Sequence, residues 1–254
     1  MPGYGDPVLV AAAVCPHPPL LVPGVAAGAT GETDDLRAAC RAAVAALLSS
    51  RPDLVVVVGA AERMGPFAAG AWGSLRAYGV AVDVGRADGA EADGAEADGA
   101  GPTLPLSLTV GRWLLDGAGS AGAAGEAAPV LLFGVAADAD RDRCVEVGAA
   151  LAGRAARVGM LVMADGTGRR TPKPGYLDGR AEPFDAQVAG ALAAGDPTAL
   201  AGLDVGLADE LLVQGRAAWQ VLAGAAGGQQ WQGEVTYDAA PYGVGYLVAT
   251  WRPG

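Results

Sequence analysis

The sequence is poor in the residues that carry most catalytic chemistry. Its 254 residues contain one histidine, His17, and three cysteines, Cys15, Cys40 and Cys144. One histidine excludes any mechanism that draws two from the same chain, including a two-histidine metal site in a monomer and a His–His acid/base pair. Three cysteines do not make a disulfide framework, and a reducing cytoplasm is the expected setting. Lysine is nearly absent: Lys173 stands alone among 17 basic residues, against 28 acids, for a net charge of −11. That balance argues against a nucleic-acid partner, whose phosphates bind through Lys and Arg. No apolar run approaches the ~18 residues of a membrane span, so no membrane partner is expected. The first such run, Val8 to Cys15, is stopped by Pro16, Pro18 and Pro19, and no basic segment precedes it. Aromatics are only 6% of the chain, so its core has to be built from small side chains.

What is present is an alternation of short apolar runs with amphipathic stretches. Residues 7–14, 54–58, 79–84, 129–135 and 158–164 read as strands, the first as a strand buried on both faces. Helices are expected from Thr33, with Asp34 and Asp35 in its first turn, and over 103–116, 138–156, 180–194 and 206–225. In the first of them Leu36, Cys40, Val44 and Leu47 share one face, and Pro52 follows its end. Two strands, 231–238 and 244–251, close the chain around the Pro241–Tyr242–Gly243 turn. The pattern predicts one α/β domain over 1–254: a three-layer α/β/α fold with a largely parallel central sheet and an antiparallel C-terminal strand pair. Within 85–102 the repeat ADGAEADGAEADGAG carries Asp88, Glu91, Asp93, Glu96 and Asp98 and no bulky apolar group. A mobile solvated insertion is expected there; its five-residue period fits neither calcium repeat nor EF-hand.

In an open α/β sheet, ligands bind beyond the carboxyl ends of the strands. Three loops at those ends carry polar residues. His17 lies in CPHPP, held by flanking prolines; it is a candidate ligand or acid/base group, or else a half-buried histidine bonded to a carbonyl. Glu62 and Arg63 follow the second strand. Asp165, Thr167, Arg169, Arg170 and Lys173 follow the 158–164 strand. His17, Asp165 and Arg169 are the candidate catalytic residues; Glu62, Arg63, Thr167, Arg170 and Tyr242 are candidate ligand contacts. His17, Glu62 and Asp165 together would form a one-histidine, two-carboxylate site for a divalent metal such as Mg or Mn. The bland alternative pairs Glu62 with Arg63 or Arg169. The GTGRR turn can hold an anion through N–H groups and guanidinium forks, but it is no dinucleotide or Walker fingerprint. Zinc held by the three cysteines and His17, and a Cys15–His17 nucleophile pair, are weaker readings, since Cys40 and Cys144 sit on apolar helix faces.

These segments in this order resemble the class III extradiol ring-cleavage dioxygenases, the LigB-like superfamily that includes Memo-type proteins, in a divergent form of the high-GC bacterial kind. The resemblance rests on AAAVCPHPPLLVPGV, RPDLVVVVG, LVMADGTGRRTPKPGYLDGRAEPFD and LLVQGRAAWQVLAGA, and covers most of the chain. It implies an Fe(II) site of two histidines and a carboxylate. Only His17 matches. The second histidine is expected near Ala61 or Glu62, the base histidine near Gly168 or Arg169, and the carboxylate near Arg216 to Ala218; none is there. The resemblance therefore implies a LigB-like protein without the usual iron centre. Such a protein would bind a small anionic or aromatic ligand around His17 with no cofactor, and could form a homodimer. The alternatives are an enzyme with an altered His17/Glu62/Asp165 centre holding Fe(II) or another divalent metal, and a non-enzymatic interaction protein.

Overall fold

A computed structural model describes residues 8–25, 30–85, 103–119, 128–171 and 176–254. The acidic repeat and Lys173 lie outside the described residues.

Seven strands form one sheet in the order β3-β6-β2-β7-β1-β9-β8. Its centre is parallel: β6 (Val130–Ala136), β2 (Leu54–Ala61), β7 (Arg157–Met163) and β1 (Val8–Cys15). The β8 (Trp231–Ala239) and β9 (Tyr246–Pro253) pair adds an antiparallel edge beside β1, as the sequence predicts. At the opposite edge β3 (Gly65–Pro66) turns back along β6. The two sheet faces bury separate cores. On one, Ala13, Val55, Val57, Leu161 and Met163 pack under α1 (Thr30–Ser49) and α2 (Leu106–Gly119). On the other, Val14, Val56, Val58 and Val162 pack under α3 (Arg141–Ala152), α4 (Ala181–Ala194) and α7 (Arg216–Ala225). This is the three-layer α/β arrangement. Unbroken Val and Ala runs serve it because both faces of the central strands are covered.

Several boundaries differ from the sequence reading. Residues 79–84 are not a sheet strand. A 3-10 turn at 76–78 ends at Gly79 (φ 87°), and only β5 (Asp83–Val84) pairs, with β4 (Gly73–Ser74), in a separate ribbon. The stretch 206–225 is two helices, α6 (Val205–Glu210) and α7, and a short α5 (Pro197–Ala201) precedes them. Thr33 is no cap: α1 begins at Thr30, and the Thr33 hydroxyl accepts from Arg37 Nη2 at 2.7 Å inside the helix. Arg37 also donates to the Leu21 carbonyl at 2.8 Å, which ties α1 to the turn after His17. Among the described residues no helix is long and apolar enough to cross a membrane.

Candidate functional site

The sheet register assembles the site. β1 and β7 pair up to Cys15 and Met163. Two residues further on, the chains bring His17 and Asp165 together, and the His17 backbone N–H donates to Asp165 Oδ1 at 2.7 Å. The β1–β9 pairing ends at Val14 and Ala249, and the same antiparallel count sets Tyr246 opposite His17. The β2–β7 pairing ends at Gly59 and Met163, and two residues on sets Ala61 beside Asp165. Ala61, Asp165, His17 and Tyr246 thus form a row across the top of the sheet, on the face that α1 and α2 cover.

His17 is 6% exposed and Asp165 8%. The imidazole Nδ1 lies 3.5 Å from Asp165 Oδ1, yet it is buried with no hydrogen-bond partner. A buried polar atom left unpaired calls for an explanation, which a bound water, an ion, a ligand or a catalytic role can supply. Burial pushes the Asp165 carboxyl above the ordinary carboxylate range; the nearby His17 ring and N–H act in the opposite direction. Tyr246 is raised as well, first by burial and then by Asp165 and the phenols of Tyr242 and Tyr237.

Asp165 has a pH signature. Its native pKa lies above the unfolded value of about 3.9. Between those two values the folded protein holds more protons than the unfolded one, so stability falls as pH rises through the window. Asp165→Asn keeps an acceptor for the His17 N–H and removes the buried charge. It is expected to melt at or above the wild-type temperature at pH 7, with the difference vanishing below pH ~4. Thermal melts from pH 3 to 8 check this; a variant less stable than wild type at pH 7 would show that the charge is not penalised.

A pocket of about 820 Å³ opens at the carboxyl end of β2. Ala61, the row neighbour of Asp165, is part of its wall, with Glu62, Arg63, Phe67 and the Thr103–Pro105 approach to α2. The predicted residues therefore divide. His17 and Asp165 meet. Glu62 and Arg63 are exposed at the pocket. Thr167 and Arg170 converge on a residue the sequence reading passed over, Asp185 of α4: Thr167 N and Oγ1 donate to its two oxygens at 2.9 and 2.8 Å, and Arg170 Nη1 lies 3.5 Å away. The GTGRR turn is thus closed by an internal carboxylate, not opened toward an external anion. Arg169 donates to the Glu210 carbonyl at 3.4 Å. Tyr242, in the β8–β9 turn, packs against the α1/α2-face core.

Among the described residues no group of three His, Cys, Asp or Glu side chains could hold a metal ion. His17, Glu62 and Asp165 are not gathered into a metal site, nor are the cysteines and His17. Among the described residues, no three protein donors are placed to make an Fe(II) centre. All three cysteines are free and buried. Contact with Cys40, with burial added, pushes the Cys15 thiol well up, the wrong direction for a nucleophile.

No family model matches the chain, and no curated protein matches it. Among solved structures it is similar to an uncharacterized protein, JW3007, from Escherichia coli K12: TM-score 0.42 and 12% identity, over 96% of this chain and 99% of that one.

Proposed function

We propose that this chain is a LigB-like protein without the usual iron centre, which binds a small anionic or aromatic molecule in the β2-end pocket against the His17–Asp165 pair. The observation that carries the reading is the unpartnered Nδ1 of the buried His17 imidazole beside the buried Asp165 carboxylate, whose other neighbour in the row, Ala61, is part of the pocket wall. Phe67 and Arg63 supply that pocket with an aromatic face and a guanidinium, the groups that hold an aromatic ring and an anion. A second reading has its own support: a carboxyl raised by burial next to an imidazole is suited to proton transfer, so His17 and Asp165 would act as metal-free acid/base groups.

The single histidine makes the test direct, because its ring signals are unique in the NMR spectrum. Benzoate and catechol, titrated separately, are expected to move the His17 ring signals saturably, and His17→Ala is expected to weaken that binding at least tenfold with little change in melting temperature. Silence of the His17 ring toward both probes would refute the binding site. Stoichiometric iron with catechol cleavage, after anaerobic Fe(II) loading, would refute the loss of the iron centre.

A further inference from the structure

The amino end of α7 concentrates positive character and unmet donors. Gly215 caps the helix without a side chain, and no acid stands in the first turn. Among the described residues, no acceptor meets the backbone N–H groups of Arg216, Ala217 and Ala218, although all three residues are buried. Arg216 is a cation at the positive end of the helix, the unfavourable sign for that position. It is 3% exposed and bonds only neutral groups: the Ala137 and Ala139 carbonyls and, at 2.9 Å, Gln220 Oε1. No carboxylate pairs with it among the described residues.

The independent observation is Trp219. It is fully buried, and its indole Nε1 has no hydrogen-bond partner. Helical side chains lean toward the helix amino end, and this one does. A β-carbon on Gly215 would lie 2.8 Å from Trp219 Cζ2, which is two bonds from Nε1. The indole ring therefore lies against the cap residue of the helix, with Nε1 two bonds from that contact. Three backbone donors and one indole donor lack an acceptor, and the Arg216 guanidinium, though bonded to neutral groups, lacks a counter-ion; an anionic acceptor answers both.

We propose that the amino end of α7 binds an oxyanion, a carboxylate or a phosphate, either free or as the anionic end of a larger ligand. The helix start adjoins the loop that carries Asp165, since a β-carbon on Gly215 would lie 2.7 Å from the Asp165 carbonyl oxygen, but its donors belong to Ala217, Ala218 and Trp219, which pack on the opposite face of the sheet from Tyr246. The test of this site is separate from that of the His17 reading.

The probes are inorganic phosphate and acetate, each titrated against chloride at constant ionic strength into uniformly 15N-labelled full-length protein. One of the two is expected to shift the Trp219 indole proton and the 216–218 amides downfield with saturation, which also distinguishes phosphate from carboxylate. It is expected to raise the melting temperature in parallel. Trp219→Phe keeps the ring and removes the donor. It is expected to weaken binding about tenfold, the equivalent of one hydrogen bond of ~1.4 kcal/mol. Without anion, it is expected to melt no lower than wild type, since an unpaired buried donor is gone. Absence of saturable shifts at these protons with both anions would overturn the proposal, as would equal affinity in Trp219→Phe.

Discussion

Gly148→Ala and Gly224→Ala are each expected to lower the melting temperature by roughly 6–12 °C, the shift that a loss of ~3 kcal/mol produces in a chain of this size. The reason is the crossing of α3 and α7. A β-carbon at Gly148 would lie 2.7 Å from Ala225 N and closer still to the Val221 carbonyl oxygen. A β-carbon at Gly224 would lie 2.7 Å from Val145 Cα and closer still to the Val145 carbonyl oxygen. Each glycine therefore lets one backbone rest directly on the other, and neither clash involves a side chain that could rotate away. Both helices pack on the same core as Val56, Val58 and Val162, so separating them opens that core. Gly190, where a β-carbon would meet nothing within 4 Å, is the control: Gly190→Ala is expected to be neutral or slightly stabilising, since alanine is the better helix former. Thermal melts of the three variants decide it, and equal melting temperatures would show that the crossing relaxes.

The central strands were legible in the sequence because burial on both faces leaves a plain mark: VLVAAAV and LVVVV cannot sit at a surface. The end of α4 was legible for the same kind of reason. Gly195 takes the left-handed conformation (φ 61°), and Asp196 N–H closes on the Ala191 carbonyl at 2.9 Å. The end of α6 has the same closure, with Val213 N–H on the Ala208 carbonyl at 2.9 Å and Leu212 N–H on Asp209 at 3.0 Å. Here the left-handed residue is Leu212 (φ 57°), not glycine. Leucine carries no stop signal, and Leu211 and Val213 are buried like members of one apolar stripe. Periodicity therefore ran 206–225 together as a single helix. The 79–84 segment failed differently: GVAV looks like a strand, yet Gly79 closes a 3-10 turn and only Asp83 and Val84 pair as a strand.

Of the site, sequence reasoning could place His17 and Asp165 at the carboxyl ends of strands, but the adjacency of those two strands comes from the sheet order. That reasoning could not place Tyr246, whose position beside His17 depends on the register of β9 against β1. Nor could it divide the polar loop residues among their partners. Glu62 follows β2, two strands away from β1 in the sheet order, and strand order is not written in local sequence. Asp185 did leave a trace: it interrupts the apolar stripe of Phe184, Val188 and Leu192, and a carboxylate there needs a buried donor set.

Asp185→Ala is expected to cost about 3 kcal/mol or more, with a fall in melting temperature of roughly 6–12 °C. Asp185 holds the loop after β7 to α4 and to the β8–β9 turn. Its oxygens accept both the N–H and the hydroxyl of Thr167, which is fully buried, so truncation leaves two buried donors unpaired. Each unpaired donor costs ~1–3 kcal/mol. The loop is also packed to the backbone around that carboxylate. A β-carbon on Gly166 would lie 2.6 Å from Asp185 Oδ1, and one on Gly245 would lie 2.7 Å from its Cγ. Gly166 N–H donates to the Gly245 carbonyl at 2.7 Å, and Gly245 N–H to the Thr167 carbonyl at 2.9 Å, so the two segments are laced on either side of it. Burial raises the Asp185 carboxyl despite the Thr167 donors and Arg170, so ionising it costs the fold something that the hydrogen bonds offset. Asp185→Asn, which retains one carbonyl acceptor and no charge, is therefore expected to lose less than Asp185→Ala. The double variant Thr167→Val/Asp185→Ala removes one orphaned donor and is expected to recover part of the loss. Melting temperatures of the three variants check the order. If Asp185→Ala melts with wild type, the latch does not hold the loop, and the position of Asp165 beside His17 must be fixed by the strands alone.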